Sequence, residues 1–224
     1  MSENCFDAFD RIYLINLERR KDRLATWFEN NLLIRDNIKL EVFKAIDGKT
    51  RLSPNFNGTS GALGCLESHL SVLKDAKKNG YRRILVFEDD CKMISGFETL
   101  FSQGWRSLPE NWDMLYLFAN DHTSSIPLDE YISKCTASLS TVSYAVQLPI
   151  LSTLIGLLEK RTQPVDVVYG HLHFLINAYR FSRNLVDHHS GYSDVEEKNT
   201  MGTQRVSLIK KIVSKVKHLR DKYV

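Results

Sequence analysis

The sequence predicts an α/β protein with a mostly parallel sheet and flanking helices. Three observations support this fold class: strand-like and helix-like apolar patterns alternate along the first half of the chain, one short apolar run has the composition of a strand buried on both faces, and charged or turn-forming residues separate these segments. Such alternation is typical of βαβ units, whose strands lie parallel in one doubly wound sheet. A chain of 224 residues is long enough for one such domain.

Individual elements follow from the spacing of apolar residues, since β-forming runs predict strands and a spacing of three or four predicts helices. In chain order, the first five elements are a strand at 11–17, a helix at 24–32, a strand at 40–45, a helix at 66–76 and a strand at 84–87. Further strands are expected at 114–118 and 141–146, followed by a helix whose first turn contains Pro149. Residues 165–200 give no firm assignment.

Composition and charge exclude several classes of function. The hydrophobic content of 43% and the charged content of 25% are those of a soluble globular protein. No apolar run reaches the ~18 residues that a transmembrane helix needs. Residues 205–224 contain seven basic residues and one acidic residue, so the rest of the chain carries a net charge of −3 within a total of +3. The body therefore presents no basic surface for nucleic acid.

The basic tail, residues 205–224, also carries an apolar stripe at helical spacing, and we expect it to follow a single domain at 1–204. Such a tail could contact an anionic membrane, pack on the body or fray, and the sequence leaves these alternatives open. Residues 1–10 contain no basic residue and do not resemble a secretory signal. With widely spaced cysteines and no CxxC pair, we expect reduced thiols and a cytoplasmic location. Peripheral contact with the cytoplasmic face of the membrane through 205–224 is one of the alternatives that stay open for the tail.

The segment from Ile84 to Asp90 is the most informative in the chain. Four apolar residues run directly into Glu88, Asp89 and Asp90. Three acids at the end of a buried strand repel each other unless a cation or a ligand lies among them. Carboxylate oxygens suit Mg²⁺ or Mn²⁺, and in an extended segment Glu88 and Asp90 point to the same side. The alternative is a solvated acidic loop.

Two further clusters could bind a ligand. Asn16, Arg19, Arg20 and Arg23 lie where the first strand leads into a helix, and a helix start with arginines is a ready anion site. Intrahelical salt bridges are the structural alternative for this cluster. The second cluster, residues 61–69, has two glycines that suggest close backbone approach, followed by a serine and a histidine; a glycine hinge with a half-buried histidine is its alternative.

Taken in order, these segments resemble glycosyltransferase family 25, the lipooligosaccharide-type galactosyltransferases of bacteria and their collagen-modifying relatives. Each motif is short, but the order makes the match specific, and it covers roughly residues 10–195. The matching segments are Asn16-Leu17-x-Arg19-Arg20-x-Asp22-Arg23, Ala45-Ile46-Asp47-Gly48, Gly64-Cys65-x-x-Ser68-His69, Val86-Phe87-Glu88-Asp89-Asp90, Tyr144, Pro164-Val165-Asp166 and Tyr192-Ser193-Asp194-Val195.

The resemblance implies a GT-A type fold with a Rossmann-like sheet. It also implies an inverting reaction that moves a hexose, with galactose first among the candidates, from a uridine diphosphate (UDP) sugar to a hydroxyl of a glycan such as lipooligosaccharide. Carried over to this sequence, Glu88 and Asp90 become ligands of Mn²⁺ or Mg²⁺, and Asp89 lies beside the diphosphate. The residues that would contact the donor are Asn16, Arg19, Arg23, Asp47, Gly64, Ser68 and His69.

An inverting transfer also needs a base that removes the proton of the acceptor hydroxyl. Asp166 and Asp194 both follow the donor half of the chain, and Asp166 is preferred, although it also fits a helix start. His171 and His173 could bind a metal only in an extended segment, because a helix would point them apart. A different class of function, a non-catalytic nucleotide- or glycan-binding protein that keeps the fold, stays open.

Overall fold

The structure, a computed structural model, describes residues 5–51, 53–120, 125–188, 191–195 and 198–200. The predicted tail at 205–224 lies outside these residues. In chain order the strands and helices are β1 (Arg11–Asn16), α1 (Lys21–Asn30), β2 (Leu40–Lys44), α2 (Ser60–Lys78), β3 (Arg83–Glu88), β4 (Cys91–Met93), α3 (Phe97–Ser107), β5 (Met114–Tyr116), β6 (Ser125–Pro127), β7 (Ile132–Cys135), β8 (Ser143–Gln147), α4 (Leu151–Leu158), α5 (Val165–Leu172), β9 (Ala178–Phe181), β10 (Val186–His188), β11 (Gly191–Ser193) and β12 (Lys198–Thr200).

One eight-stranded sheet organises the molecule, in the order β2-β1-β3-β8-β5-β9-β7-β6. β1 pairs in parallel with β2 and β3, and β5 pairs in parallel with β9. β8 is antiparallel to its neighbours β3 and β5, and β7 is antiparallel to β6 and β9. All the other strands of this sheet therefore run in one direction. The predicted α/β class, with a mostly parallel sheet and flanking helices in a single domain, is confirmed.

Alternation along the strands separates two apolar cores on the two faces of the sheet. On β3, Leu85 and Phe87 pack into the core that includes α1 and α3, whereas Ile84 and Val86 pack into the core that includes α2, α4 and α5. These four side chains are at most 1% exposed, as the continuous apolar run predicts. The same alternation sends the side chains that follow, of Glu88 and then Asp89, toward opposite faces.

The helices begin and end where local chemistry allows. The Thr59 hydroxyl accepts the N–H of Ala62 and so caps α2, which ends before Gly80 at a positive φ of 70°. Pro149 lies two residues before α4 rather than in its first turn, which corrects that expectation. α3 and β9 were not assigned from the sequence. None of the helices in the described ranges combines the length and the apolar character needed to cross a bilayer.

A short antiparallel ribbon of β4 and β10 lies beside the main sheet. Its register pairs Cys91 with His188 and Met93 with Val186. Because β4 starts directly after Asp90, this pairing brings a histidine from late in the chain next to the acidic segment. All four cysteines lie in the described ranges, and none of them forms a disulfide.

Candidate functional site

The carboxyl ends of the parallel strands β1, β2 and β3 border a cavity, which is where ligands bind in open α/β sheets. Its lining comes from the ends of these strands, from α2 and from the segment at Asp194 and Val195. The cavity volume is about 80 Å³, whereas sites for ligands of drug size commonly enclose about 300–1,000 Å³. Its lining includes charged and polar side chains of the predicted site.

Glu88 lies on the α2 side of the sheet. Its Oε1 accepts a hydrogen bond from the Thr141 hydroxyl at 2.6 Å and lies 3.2 Å from Nε2 of His69. The other ring nitrogen of His69, Nδ1, lies 2.9 Å from the Tyr144 hydroxyl, which in turn lies 3.4 Å from the hydroxyl of Tyr169. A polar chain therefore runs from the cavity into the core on this face.

Asp89 lies on the α1 side and is buried. Its two oxygens accept hydrogen bonds from Asn16 Nδ2 at 2.6 Å and from the Arg23 guanidinium at 2.7 Å. Burial raises the pKa of Asp89 to about 6, because loss of water and the charge of Asp90 together outweigh the favourable contacts with Arg23 and Asn16. Asn16 and Arg23 thus hold this carboxylate, and the charged guanidinium of Arg23 lies at the edge of the cavity.

Asp90 lies between Arg23 and His188. Its Oδ2 is 3.4 Å from the Arg23 guanidinium and 3.1 Å from Nε2 of His188. Burial acts to raise the pKa of Asp90, but the contacts with His188 and Arg23 prevail and leave that pKa below its ordinary value. The second oxygen, Oδ1, is buried and has no hydrogen-bond partner among the described residues. Such an atom is expected to have a partner, since leaving it without one destabilises the fold.

A second group of charged residues lies at the same cavity. Arg19 donates to Asp47 at 3.0 Å and to Asp194 at 2.8 Å, and Arg20 forms a further ion pair with Asp194. The contact with Arg19 lowers the pKa of Asp47 below its ordinary range. Arg19 and Asp194 are 175 positions apart, so the fold alone brings this carboxylate onto the arginines.

Gly64 and Ser68 join α2 to the loop after β2. A Cβ on Gly64 would lie 2.5 Å from the backbone nitrogen of Gly48 and 2.6 Å from the carbonyl oxygen of Ile46, so only glycine fits this approach. The Ser68 hydroxyl accepts the N–H of Ile46 and donates to the carbonyl of Gly64. These residues fix the floor of the cavity through contacts within the chain.

The structure brings most of the predicted site residues together. Those that line the cavity are Arg19, Arg23, Asp47, Ser68, His69, Glu88, Asp89, Asp90 and Asp194. Asn16 and Gly64 lie directly behind this lining. Asp166 lies in the first turn of α5, where its carboxylate accepts the N–H of Val167, and it is not part of the lining. The roles assigned to all these residues stay predictions.

Sequence reasoning missed two contributors to the site. Thr141 holds Glu88 but belongs to no motif, and no local pattern identifies it. Cys65 lines the cavity and lies four residues before His69, so a search for metal-binding residue types at helical spacing would have found it. The structure also adds His188, whose Nε2 lies 3.1 Å from Oδ2 of Asp90.

The comparisons with known proteins identify the family of this chain. Residues 9–140 match the family model described as "Glycosyltransferase family 25 (LPS biosynthesis protein)". The chain belongs to glycosyltransferase family 25. Among the family's curated members, procollagen galactosyltransferase 2 of Mus musculus is 26% identical over 179 residues, which cover 66% of this chain and 28% of that protein. The chain thus spans less than a third of the length of this relative.

Some relatives in the family are named inactive. The inactive glycosyltransferase 25 family member 3 of Homo sapiens is 29% identical over 135 residues, which cover 49% of this chain and 22% of that protein. Among solved structures, mouse xyloside xylosyltransferase 1 matches with a TM-score of 0.40 and 11% identity over 73% of this chain and 68% of that chain. A likeness as distant as this last one supports no statement about function.

Proposed function

We propose that this chain is a metal-dependent, inverting hexosyltransferase. It moves a hexose, with galactose first among the candidates, from a UDP-sugar to a hydroxyl of a glycan acceptor such as lipooligosaccharide. The observation that carries the proposal is the buried Oδ1 of Asp90, which has no partner in the described part of the chain while Oδ2 contacts His188 and Arg23. Membership of family 25 and the galactosyltransferase names of several relatives support the reaction class and the sugar.

The donors around Asp90 fit a hard divalent cation, Mn²⁺ or Mg²⁺. A carboxylate oxygen without a partner is the ligand type that both cations prefer, and the imidazole nitrogen beside it would be an additional ligand. Asp90 and His188 would hold the cation, while Oε1 of Glu88 is already in contact with His69 and Thr141. When bound, the cation supplies charge neutralisation for the departing diphosphate.

The arginines supply the complementary charge for the donor. Arg23 lines the cavity beside Asp89 and Asp90. Arg19 also lines it, and both Arg19 and Arg20 form ion pairs with Asp194. Guanidinium groups bind phosphate oxygens in a bidentate manner and keep their charge at any pH at which the protein is folded. Arg19, Arg20 and Arg23 would therefore orient the diphosphate, while Asp47 would contact the nucleoside end of the donor.

Asp194 is the first candidate for the base, ahead of Asp166. Its carboxylate lines the cavity, and it becomes available to accept the proton of the acceptor hydroxyl when the diphosphate takes over Arg19 and Arg20. If this assignment is right, Asp194→Asn lowers kcat by at least about 100-fold and does not weaken nucleotide binding. If Asp166→Asn instead shows this loss of kcat and Asp194→Asn stays active, the base is Asp166.

Thermal unfolding of the full chain tests donor binding. We expect UDP to raise Tm only when Mn²⁺ or Mg²⁺ is present, because ligands that bind the folded state stabilise it. Asp90→Ala should remove this shift and abolish sugar transfer while the fold is retained. Asp187→Ala is the matched control, since Asp187 is an exposed acid on the neighbouring strand β10. If millimolar UDP with either cation leaves the wild-type Tm unchanged, the proposed donor site is wrong.

A second candidate function is a nucleotide- or glycan-binding protein without turnover. Relatives named inactive members of the same family favour it. Hydrolysis or transfer of the sugar decides between the two, measured for the wild type with a panel of UDP-sugars. Binding of UDP with Mn²⁺ and no turnover of any of these donors would support the second candidate.

A further inference from the structure

Cys65, His69 and Glu88 form a cluster of potential metal ligands that the proposed function does not use. Cys65 and His69 lie one helical turn apart on α2, and Glu88 ends the strand that faces them. The sulfur, one ring nitrogen and one carboxylate oxygen all lie within 4.8 Å of one another. In the described ranges, no comparable group of three includes Asp89 or Asp90. This cluster is therefore distinct from the site at Asp90 and His188.

The histidine of this cluster is held in the orientation that a metal ligand needs. His69 is 0% exposed, and its Nδ1 lies 2.9 Å from the buried Tyr144 hydroxyl. A proton on Nδ1, donated to Tyr144, leaves the lone pair of Nε2 directed at Glu88. Hydrogen bonding at the far ring nitrogen is how proteins fix the tautomer of metal-binding histidines. Thr141 fixes the carboxylate in the same way, through its 2.6 Å hydrogen bond to Oε1.

The distances fit a small tetrahedral cation. Zinc bonds of about 2.0–2.2 Å to nitrogen and oxygen place those two ligand atoms about 3.4 Å apart in a tetrahedron. Nε2 of His69 and Oε1 of Glu88 are 3.2 Å apart. A nitrogen lone pair and a carboxylate oxygen at this distance repel each other unless a proton or a cation lies between them. The nearby sulfur of Cys65 favours the cation, and a thiolate with an imidazole selects zinc over Mg²⁺ or Mn²⁺.

We propose that Cys65, His69 and Glu88 bind a zinc-class divalent cation, with the fourth coordination position open to the cavity. All three residues line that cavity, so water or a ligand oxygen can reach the open position. The site shares only Glu88 with the predicted donor cation site. Zinc bound here keeps Glu88 on the α2 side and leaves Asp90 and His188 to hold the donor's cation. The inference does not depend on the transferase reaction.

Cobalt titration of the chelator-treated full chain tests the site. Co²⁺ replaces zinc and reports thiolate coordination by a charge-transfer band in the near ultraviolet, and added Zn²⁺ should remove the band. Cys65→Ser should abolish it and raise the dissociation constant for zinc by more than about 100-fold, because even changes behind the ligands cost about 10- to 100-fold. Cys5→Ser, in the core on the other face of the sheet, is the control and should keep the band.

A measurement on the wild type covers the case in which Cys65→Ser does not fold. Zn²⁺ should protect Cys65 from alkylation, as read by mass spectrometry of the modified peptides. The site is refuted if the wild type gives no thiolate band, or if zinc leaves the alkylation of Cys65 unchanged. Asp90→Ala separates the two proposals: it should keep the cobalt band whether or not UDP binding depends on Asp90.

Discussion

His173 makes the stability of this protein depend on pH. The ring is 1% exposed and lies at the end of α5. Its Nδ1 accepts the backbone N–H of Ser138 at 3.1 Å, and its Nε2 lies 2.9 Å from the Tyr116 hydroxyl. Because Nδ1 accepts a hydrogen bond, it carries no proton, and the ring is neutral in the folded state. Burial lowers the pKa of His173 from 6.5 to about 4.

The sign of the effect follows from the two pKa values. Between pH 6.5 and about 4, the unfolded chain binds a proton at this ring and the folded chain does not. The free energy of unfolding therefore decreases as the pH falls through this window. His173 contributes fully to the free energy of unfolding above its pKa in the unfolded chain. This contribution is lost below its pKa in the folded protein. The loss is about 2 kcal/mol between pH 7 and pH 5 and about 3 kcal/mol in total.

His173→Gln removes the titrating group and retains an amide that can donate and accept hydrogen bonds. Urea unfolding at about pH 7, 6 and 5 gives the free energy of unfolding for both proteins. The wild type should lose about 2 kcal/mol relative to His173→Gln over this range. His171→Gln, at an exposed position of the same helix, should follow the wild type. A difference between wild type and His173→Gln that stays constant within about 0.5 kcal/mol would refute the reasoning.

Two further changes test the packing that supports the site. Gly64→Ala should lower the free energy of unfolding by about 1–3 kcal/mol, because its Cβ would lie 2.5 Å from the backbone nitrogen of Gly48. Gly156→Ala on α4 is the control, since a Cβ there meets nothing within 4 Å. This control should be neutral or stabilising in the same urea titration. Leu70→Ala should cost about 2–5 kcal/mol, since Leu70 is 1% exposed between α2 and the sheet, whereas Leu32→Ala, at 61% exposure, should change the free energy by less than about 0.5 kcal/mol. Equal effects within either pair would contradict the packing described for that pair.

Local patterns in the sequence predicted the parts of the fold that depend on local chemistry. The apolar run at 84–87 became a central strand, and the acids that follow it line the cavity, because a strand buried on both faces needs a continuous apolar segment. The helix at 66–76 was found within α2 because its apolar stripe has a clear helical period. Each of these elements was predicted from the residues of its own segment alone.

The parts that were missed depend on contacts between distant segments. β4 and β10 are only three residues each, and nothing in either segment alone indicates that they pair and bring His188 to Asp90. The same holds for the ion pairs between Asp194 and the arginines at the start of α1. β9 contains Arg180, which is 5% exposed, so its sequence lacked the uniformly apolar character expected of a buried strand.

The ion pairs of Asp194 have a consequence for the order of events in a reaction cycle. This carboxylate pairs with the guanidinium groups of Arg19 and Arg20, which the diphosphate of the donor would need under the proposed function. A nucleotide sugar would have to displace it, and the apparent affinity would equal the intrinsic affinity multiplied by the fraction of molecules in which Asp194 is already displaced. Under the proposed function, Asp194 becomes available as the base only after the donor has bound, so the nucleotide sugar would bind first and the glycan second.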